Sequence, residues 1–397
     1  MLHNLNRFKL FGLFFFVLIA SGCPQVWSKE DTPPSTPPDA QTIKNVEVPF
    51  LHPNVNLAAS KAELILFDNE IKTLMKARDF EGLENMAVKF RDGKERFIGG
   101  GWKIHSFYSS VSAPISPKIT ESAWKTHIDF LQAWKQAIPE SVTARCALVN
   151  AYISYAWLPR GHGFANSVSD AAWKVFYERL EMATAEAKSI ANPQEDPYGY
   201  FENKLVLAKA QGWDRQWFES TFTEAISLDP TYQYFYTQKA VYLLPRWSGA
   251  PGEWERFADE TKNRIGGQEG LKLYYLIAAE ISTYFGSGFF EQNRVSWTNL
   301  KKGFLIMEAQ YGMTVYRLNQ FGAIAFDARD TQATCKTFAL LTSDDYDSEI
   351  WKDKAGFENR RKIAQMMCMM PRADNMVKEP SPFPTATPPK LRSNDFL

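Results

Sequence analysis

A helix-to-turn pattern that occurs twice is the strongest constraint on the fold of this chain. Residues 141–163 have the spacing of an apolar helix and then run through Leu-Pro-Arg into a glycine. Residues 241–249 repeat the pattern, and the two prolines, Pro159 and Pro245, are 86 positions apart. Because known helical repeats span roughly 34–47 residues each, this interval predicts an internal repeat of about two helical hairpins.

The spacing of apolar residues elsewhere also indicates helices. Between residues 51 and 370, apolar side chains recur every three or four positions, as in the series Trp124, Ile128, Leu131, Trp134 and Ile138. Only residues 46–51 alternate in the manner of a strand. Roughly 13–14 helices joined by short loops are expected, which predicts an all-α fold. Stacked as hairpins, they would form an α-solenoid.

The sequence also predicts where individual helices begin and end. Ser60, with Glu63 three residues later, has the pattern of a capping box and predicts the start of the first helix. Residues 97–117 contain three consecutive glycines and two prolines, so we expect a long irregular loop there, and such loops are often functional. The last helix is predicted at about residues 355–369.

The N-terminus has the pattern of a targeting segment. Arg7 and Lys9 precede an apolar run over residues 10–20 that is too short to cross a bilayer comfortably. Small residues then lead into Cys23. This pattern resembles the signal of bacterial lipoproteins, although Ala20 stands where leucine is usual. The resemblance implies cleavage before Cys23 and acylation of that residue; an ordinary secretory signal is the alternative.

Composition divides the chain into four predicted parts. Residues 1–22 are the signal peptide, 23–50 a Pro/Thr-rich disordered tether, 51–370 the helical-repeat domain and 371–397 a Pro-rich disordered tail. The tether and the tail have too few apolar residues to form a packed core. Proline, not aspartate, follows Cys23, which by the lipoprotein resemblance implies a lipid anchor in the outer membrane, facing the periplasm.

A tetratricopeptide-like pattern occurs within the helical region. Residues 222–232, FTEAISLDPTY, place alanine between helices and then end the second helix with Asp-Pro. This segment resembles the end of a tetratricopeptide repeat, and the remaining repeats are degenerate. Over residues 80–256, the order of Trp, Arg-Gly and Pro-Arg-Trp motifs resembles a bacterial domain of unknown function found in helical-repeat lipoproteins. That resemblance implies a fold type and no activity.

Charge and motif patterns argue against several function classes. Lys and Arg number 45, as do Asp and Glu, so there is no basic excess of the kind that nucleic acid requires. Metal-binding spacings, phosphate loops and nucleophile motifs are missing from the sequence, so no cofactor and no catalytic residue are predicted. Among the cysteines, Cys335 and Cys368 are the likelier disulfide pair, and Cys146 is expected to be buried.

Eight side chains are candidates for ligand binding. Five aromatic residues do not fit the helical spacing: Trp102, Tyr108, Trp157, Trp213 and Trp247. Arg160, His162 and Arg246 belong to the two Leu-Pro-Arg turns, where an arginine and a histidine could bind a carboxylate or a sugar. The alternative is structural, because arginine can bond the carbonyls at a helix end, and the recurrence of the turn favours it.

Two binding functions are compatible with these patterns, and a role in envelope stability with no specific ligand is a third alternative. The first is a membrane-anchored periplasmic scaffold that binds an envelope protein or peptide through a curved helical surface. The second is binding of glycan or peptidoglycan, with or without hydrolysis, through an aromatic-lined cleft. The first is favoured by the lipid signal, the tether and the missing catalytic motifs.

Overall fold

The computed structural model describes residues 56–116, 118–160, 168–351, 353–369, 377–381 and 383. These residues form two short 3₁₀ helices, Pro193–Glu195 and Ser343–Asp345, and sixteen α-helices: α1 (Leu57–Ala77), α2 (Phe80–Asp92), α3 (Lys103–Val111), α4 (Glu121–Ala137), α5 (Val142–Arg160), α6 (Asp170–Lys188), α7 (Pro197–Gln211), α8 (Arg215–Leu228), α9 (Gln233–Tyr242), α10 (Glu253–Ile265), α11 (Gly267–Ser282), α12 (Phe289–Gln292), α13 (Trp297–Tyr311), α14 (Val315–Asp327), α15 (Thr331–Ala339) and α16 (Lys354–Met369).

The prediction of an all-α fold is confirmed, because the described residues contain no strand beyond one isolated bridge between Arg96 and Trp102. The predicted signal peptide, tether and strand at residues 46–51 lie outside the described residues. Within the described residues, no helix is both long enough and apolar enough to cross a membrane.

The expectation of an irregular loop over residues 97–117 was only partly right. Its middle forms α3, in which Ile104, Phe107, Tyr108 and Val111 are buried. The glycines and prolines at either end of this segment indicate a loop, whereas the apolar spacing between them is that of a helix. The structure has more helices than the sequence indicated, and both α3 and the four-residue α12 lie in stretches that we had not expected to be helical.

The predicted capping box at Ser60 is also corrected. Asn56 caps α1, since its side-chain oxygen accepts a hydrogen bond from the amide of Ala59 at 2.9 Å. Ser60 lies in the first turn and donates to the carbonyl of Leu57. Glu63 instead accepts from the amide of Ile98 at 2.9 Å, so it ties α1 to the turn that precedes α3.

Helix α5, the first helix that ends in Leu-Pro-Arg, lies in the core. Its alanines Ala144, Ala147 and Ala151 are fully buried, and the missing side-chain bulk allows neighbouring helices to approach closely. It contacts α4 and α6, its neighbours in the chain, and also α7, α3 and α2. Asn203 of α7 donates to the carbonyl of Cys146 at 2.9 Å and fixes the position of α7 on α5.

Alternate helices contact one another in chain order. Helix α7 contacts α5 and α9, and α9 contacts α11, while α6, α8 and α10 each pack against the helices before and after them. The helices that end in the two Leu-Pro-Arg turns, α5 and α9, therefore stand four helices apart.

The beginning and the end of the helical region meet. Lys61 of α1 forms an ion pair with Asp345 at 2.8 Å. The amide of Gly99 donates to the carbonyl of Tyr311 at the end of α13 (2.8 Å), and Arg317 of α14 donates from Nε to the carbonyl of Gly99 (2.7 Å). The turn before α3 is thus held by α13 and α14, more than 200 residues later in the chain.

The C-terminal helices are joined covalently. Cys335 and Cys368, the pair that the sequence favours for a disulfide, are bonded to each other, with their Cα atoms 5.5 Å apart, and link α15 to α16. Cys146 is free and buried, also as predicted.

Part of the tail that we expected to be disordered lies against the helices. The amide of Val377 donates to the carbonyl of Ala328 at 3.0 Å, and Glu379 accepts from the amide and hydroxyl of Thr298. Arg294 lies over the ring of Phe383, with its guanidinium carbon 4.5 Å from the ring centre. A proline-rich segment needs no core of its own when it can hydrogen-bond to an exposed helix start.

Candidate functional site

Two of the predicted binding residues, Trp102 and Tyr108, lie in the core. Trp102 is fully buried and packs against the rings of Tyr198 and Tyr232. The guanidinium carbon of Arg96 lies 3.8 Å from the centre of the Trp102 ring. In this structure neither Trp102 nor Tyr108 offers a surface to a ligand, although Trp102 positions an arginine that does reach solvent.

Tyr108 belongs to a buried polar network. Its hydroxyl donates to Asp196 Oδ2 at 2.5 Å, and Arg91 donates to the same oxygen at 3.0 Å. The other carboxylate oxygen of Asp196 accepts from the amide of Gly199 and caps α7. Complete burial raises the pKa of Asp196, and Arg91 opposes that effect. The network joins α2, α3 and α7 and is structural.

The first Leu-Pro-Arg turn forms a compact cation–aromatic group. Arg160 is only 3% exposed, and its guanidinium carbon lies 5.3 Å from the ring centre of Trp157 and 5.5 Å from that of Trp173. Burial lowers the pKa of Arg160. His162, the other predicted residue of this turn, lies outside the described residues.

The second Leu-Pro-Arg turn places its arginine in a similar way. Arg246 lies over the rings of Tyr284 and Phe285, at 5.1 and 5.9 Å, and donates to the carbonyl of Tyr284 at 3.4 Å. That carbonyl lies just past α11, so the arginine bonds the end of a neighbouring helix, not of its own. Trp247 is half-buried, and so is Trp213, whose ring nitrogen donates to Gln211 at 3.0 Å.

The structure also shows a group of polar side chains that sequence reasoning missed. Glu202 and Lys209 lie seven residues apart on α7, and Tyr234 and Gln238 lie four apart on α9, so each pair shares one helix face. With His105 of α3, these four side chains form what we call the polar strip. It runs between α3, α7 and α9, and all of its side chains except that of Lys209 are half-buried.

Glu202 organises one part of the polar strip. One of its carboxylate oxygens lies 3.0 Å from Nδ1 of His105, and the other accepts from the hydroxyl of Tyr232 at 2.8 Å. The imidazole of His105 stacks on the ring of Tyr234, with centres 3.5 Å apart and planes inclined by 10°. The side chains of His105 and Glu202 keep 23% and 14% of their exposure, so solvent reaches this group.

Lys209 organises the other part. Its amine donates to Gln238 Oε1 at 3.0 Å and lies 5.2 Å from the ring centre of Trp247. Burial lowers the pKa of Lys209 to about 8, and the carboxylates of Glu280 and Glu202 oppose that shift. The polar strip therefore meets the second Leu-Pro-Arg turn at Trp247.

Two arginines lie at the opposite end of the polar strip. Arg96 donates to the carbonyl of Gly100 at 3.2 Å, and Arg317 donates to that of Gly99. The hydroxyl of Tyr234 is 3.9 Å from the place where a Cβ on Gly101 would lie, so Tyr234 reaches the same turn. Burial raises the pKa of Tyr234, while the positive charges of Arg317 and Arg96 partly offset the rise.

The polar strip thus offers hydrogen-bond donors, acceptors and both signs of charge along a half-buried surface. No group of three or more side chains suited to a metal ion occurs among the described residues. A signal for the strip was present in the sequence. Helix α7 is mostly apolar, so a buried ionisable residue such as Lys209 requires a partner. Which partner it meets depends on helices distant in the chain.

Comparison of the chain with protein-family models, with curated proteins and with solved structures found no match.

Proposed function

We propose that this protein is a lipid-anchored scaffold of the bacterial cell envelope that binds a protein or peptide along the polar strip. The observation that carries the proposal is the convergence of Glu202, Lys209, Tyr234 and Gln238 from two non-consecutive helices. Ionisable groups are costly to bury. A half-buried row with both charge signs suits the alternating donors and acceptors of a peptide.

The proposed architecture is a curved stack of degenerate tetratricopeptide-like hairpins. Support comes from the contact order α5, α7, α9, α11 on one side and the alternation with α6, α8 and α10 on the other. The Asp229-Pro230 pair also ends a helix, as such a repeat requires, because α8 ends at Leu228 and Asp229 is its C-cap. In this arrangement the polar strip would line the concave side.

The proposed location is the outer membrane, on the periplasmic side, through acyl chains on Cys23 and the tether at residues 23–50. Incorporation of radiolabelled palmitate into the wild-type protein, and its loss in Cys23→Ser, would support this part of the proposal. Labelling that persists in the variant would contradict it.

The test of peptide or protein binding is chemical crosslinking in intact cells with the full-length protein. The wild type should capture the same few envelope proteins in replicate experiments. A Glu202→Gln/Lys209→Met variant should lose them, whereas a matched Glu224→Gln/Lys188→Met variant, altered at exposed positions of α8 and α6, should keep them. Equal capture by both variants would contradict the claim that the partner binds along the polar strip.

Glycan binding is the second candidate, and one observation favours it. The half-buried ring of Trp247 lies beside the amine of Lys209, and an aromatic face next to hydrogen-bonding groups suits a sugar ring. Co-sedimentation with purified peptidoglycan that Trp247→Ala abolishes, without envelope proteins in the crosslinked fraction, would favour this candidate over the first.

A further inference from the structure

The turn that holds Gly99 and Gly100 brings two guanidinium groups together. Arg96 precedes the turn, and Arg317 comes from the first turn of α14. They donate to consecutive carbonyls, those of Gly100 and Gly99, at 3.2 and 2.7 Å. Both glycines have positive φ angles, 86° and 78°, a conformation in which other residues are strained.

Within the described residues, neither guanidinium group has an acidic partner. In the part of the chain that the structure describes, Arg96 and Arg317 form no ion pair with a carboxylate. Each donates to a backbone carbonyl, and Arg317 also lies close to the hydroxyl of Tyr275. Burial lowers the pKa of Arg96, and Tyr311, Tyr234, Glu269 and Asp229 oppose that effect. Asp229 itself is paired with Lys94 at 2.8 Å.

The surroundings hold these cations in place without neutralising them. The Arg96 guanidinium lies over Trp102 on one side and 5.4 Å from the ring centre of Tyr311. Arg317 lies 5.9 Å from the ring centre of Tyr275. Aromatic faces orient a guanidinium group and leave its edge, with the remaining N–H donors, free for a planar anion.

We infer that Arg96 and Arg317, with the hydroxyl of Tyr234, bind a carboxylate. Two fixed guanidinium groups can bind the two oxygens of a carboxylate in the bidentate manner that arginine favours. The site stands at the end of the polar strip, so a peptide lying along the strip would place its C-terminal carboxylate there. This inference rests on the proposed peptide binding and names the terminus that is recognised.

The test uses the lipidated full-length protein in detergent micelles and an immobilised library of random hexapeptides. One half of the library ends in a free carboxylate and the other half in an amide. The free-acid half should bind roughly ten- to a hundredfold more tightly, the range expected of charge-assisted hydrogen bonds. Arg317→Gln should abolish this difference, and Arg317→Lys, which keeps the charge, should retain part of it.

The control and the possible outcomes distinguish the carboxylate site from peptide binding in general. Arg329→Gln serves as the control, because that guanidinium is exposed and lies elsewhere; it should leave the preference intact. Equal binding of acid and amide by the wild type would overturn the carboxylate site and leave peptide binding standing. Binding of neither half would overturn the proposed function as well. A preference that survives in a folded Arg317→Gln variant would place the carboxylate somewhere else.

Discussion

The side chain of Lys209 shows how much a single residue of the polar strip departs from an ordinary surface group. It is 9% exposed, hydrogen-bonded to an uncharged amide and placed beside an indole ring. No carboxylate forms an ion pair with it among the described residues, and burial lowers its pKa to about 8. A buried amine of this kind weakens the folded state, which favours a role in binding over one in stability.

The Lys209→Met substitution tests this state through the pH dependence of stability. The amine has an ordinary pKa of 10.5 when unfolded and about 8 when folded, so between these values the unfolded chain binds more protons. The wild type should therefore gain stability as pH rises from 8 to 10.5. The variant should lack this gain and should exceed the wild type by up to roughly 3 kcal/mol below pH 8.

Urea unfolding at several pH values measures this difference, with Lys188→Met at an exposed position as the control. Parallel stability curves for Lys209→Met and the wild type would contradict the burial of a charged amine.

The tryptophans provide a second prediction at this scale. Trp102 is fully buried and Trp217 is 58% exposed. Trp102→Ala should cost about 3–5 kcal/mol of unfolding free energy, since it leaves a cavity under Arg96. Trp217→Ala should change the free energy by about 0.5 kcal/mol or less. Chemical denaturation measures both values, and similar losses would show that the ring of Trp102 is not packed as described.

The sequence pattern could not distinguish the buried Trp102 from the half-buried Trp247, for a physical reason. Trp102 and Trp247 both stand outside the helical spacing and close to a glycine, so the local pattern does not distinguish them. Trp102 is covered by Tyr198 and Tyr232, which stand 96 and 130 positions later in the chain. Burial decided by distant residues leaves no local pattern.

At the element scale, the start of α13 shows how the tail stabilises a helix. The amide of Thr298 lies in the first turn, where helix amides have no partner within the helix. It donates to Glu379 at 2.8 Å, and the negative charge there also suits the positive end of the helix dipole.

Glu379→Ala should therefore release the tail. Hydrogen exchange at Thr298 should become faster, and proteases should cut the segment around residue 379 more readily. Ser381→Ala is the matched control, because Arg294 bonds the backbone carbonyl of Ser381 and not its side chain. Unchanged exchange in Glu379→Ala would mean that the tail does not cap α13 in solution.

The disulfide between α15 and α16 gives the second prediction for elements. The two cysteines are 33 positions apart, and closing a loop of that size stabilises the folded state by about 3–4 kcal/mol in the chain-entropy description. A Cys335→Ser/Cys368→Ser variant should expose α16 to trypsin at Arg360 and Arg361. Reductant should make the wild type equally sensitive to trypsin and should have no further effect on the variant. Equal protease resistance of all samples would contradict the stabilising role of the disulfide.

Sequence spacing predicted the long helices well and their ends less well. The start of α4 after Thr120 and its end before Pro139 follow from local signals, and so does the end of α8 at Asp229. Helix α3 was missed because its nine residues lie between glycines and prolines. The capping residue of α1 was misassigned because both Asn56 and Ser60 are good capping residues and only the backbone distinguishes them.

At the scale of the whole molecule, the contact between the two ends of the helical region is the feature that the sequence indicates least. Helical spacing reports which face of a helix is apolar, and it does not report that the turn at Gly99 meets α13 and α14. That contact creates the pair of guanidinium groups at one end of the polar strip. The candidate site is thus a product of long-range packing, whereas the all-α fold is a product of local pattern.

The most direct measurement of the central claim is site-specific photo-crosslinking in intact cells. A photoreactive benzoylphenylalanine would replace Gln238, which lies in the polar strip, or Thr223, which is exposed on α8. If the polar strip binds a partner, we expect a discrete crosslinked protein from position 238 and none from position 223. The crosslinked product should be lost when Glu202→Gln and Lys209→Met are added. No crosslink at position 238, or the same products from both positions, would contradict the claim that the polar strip binds a partner.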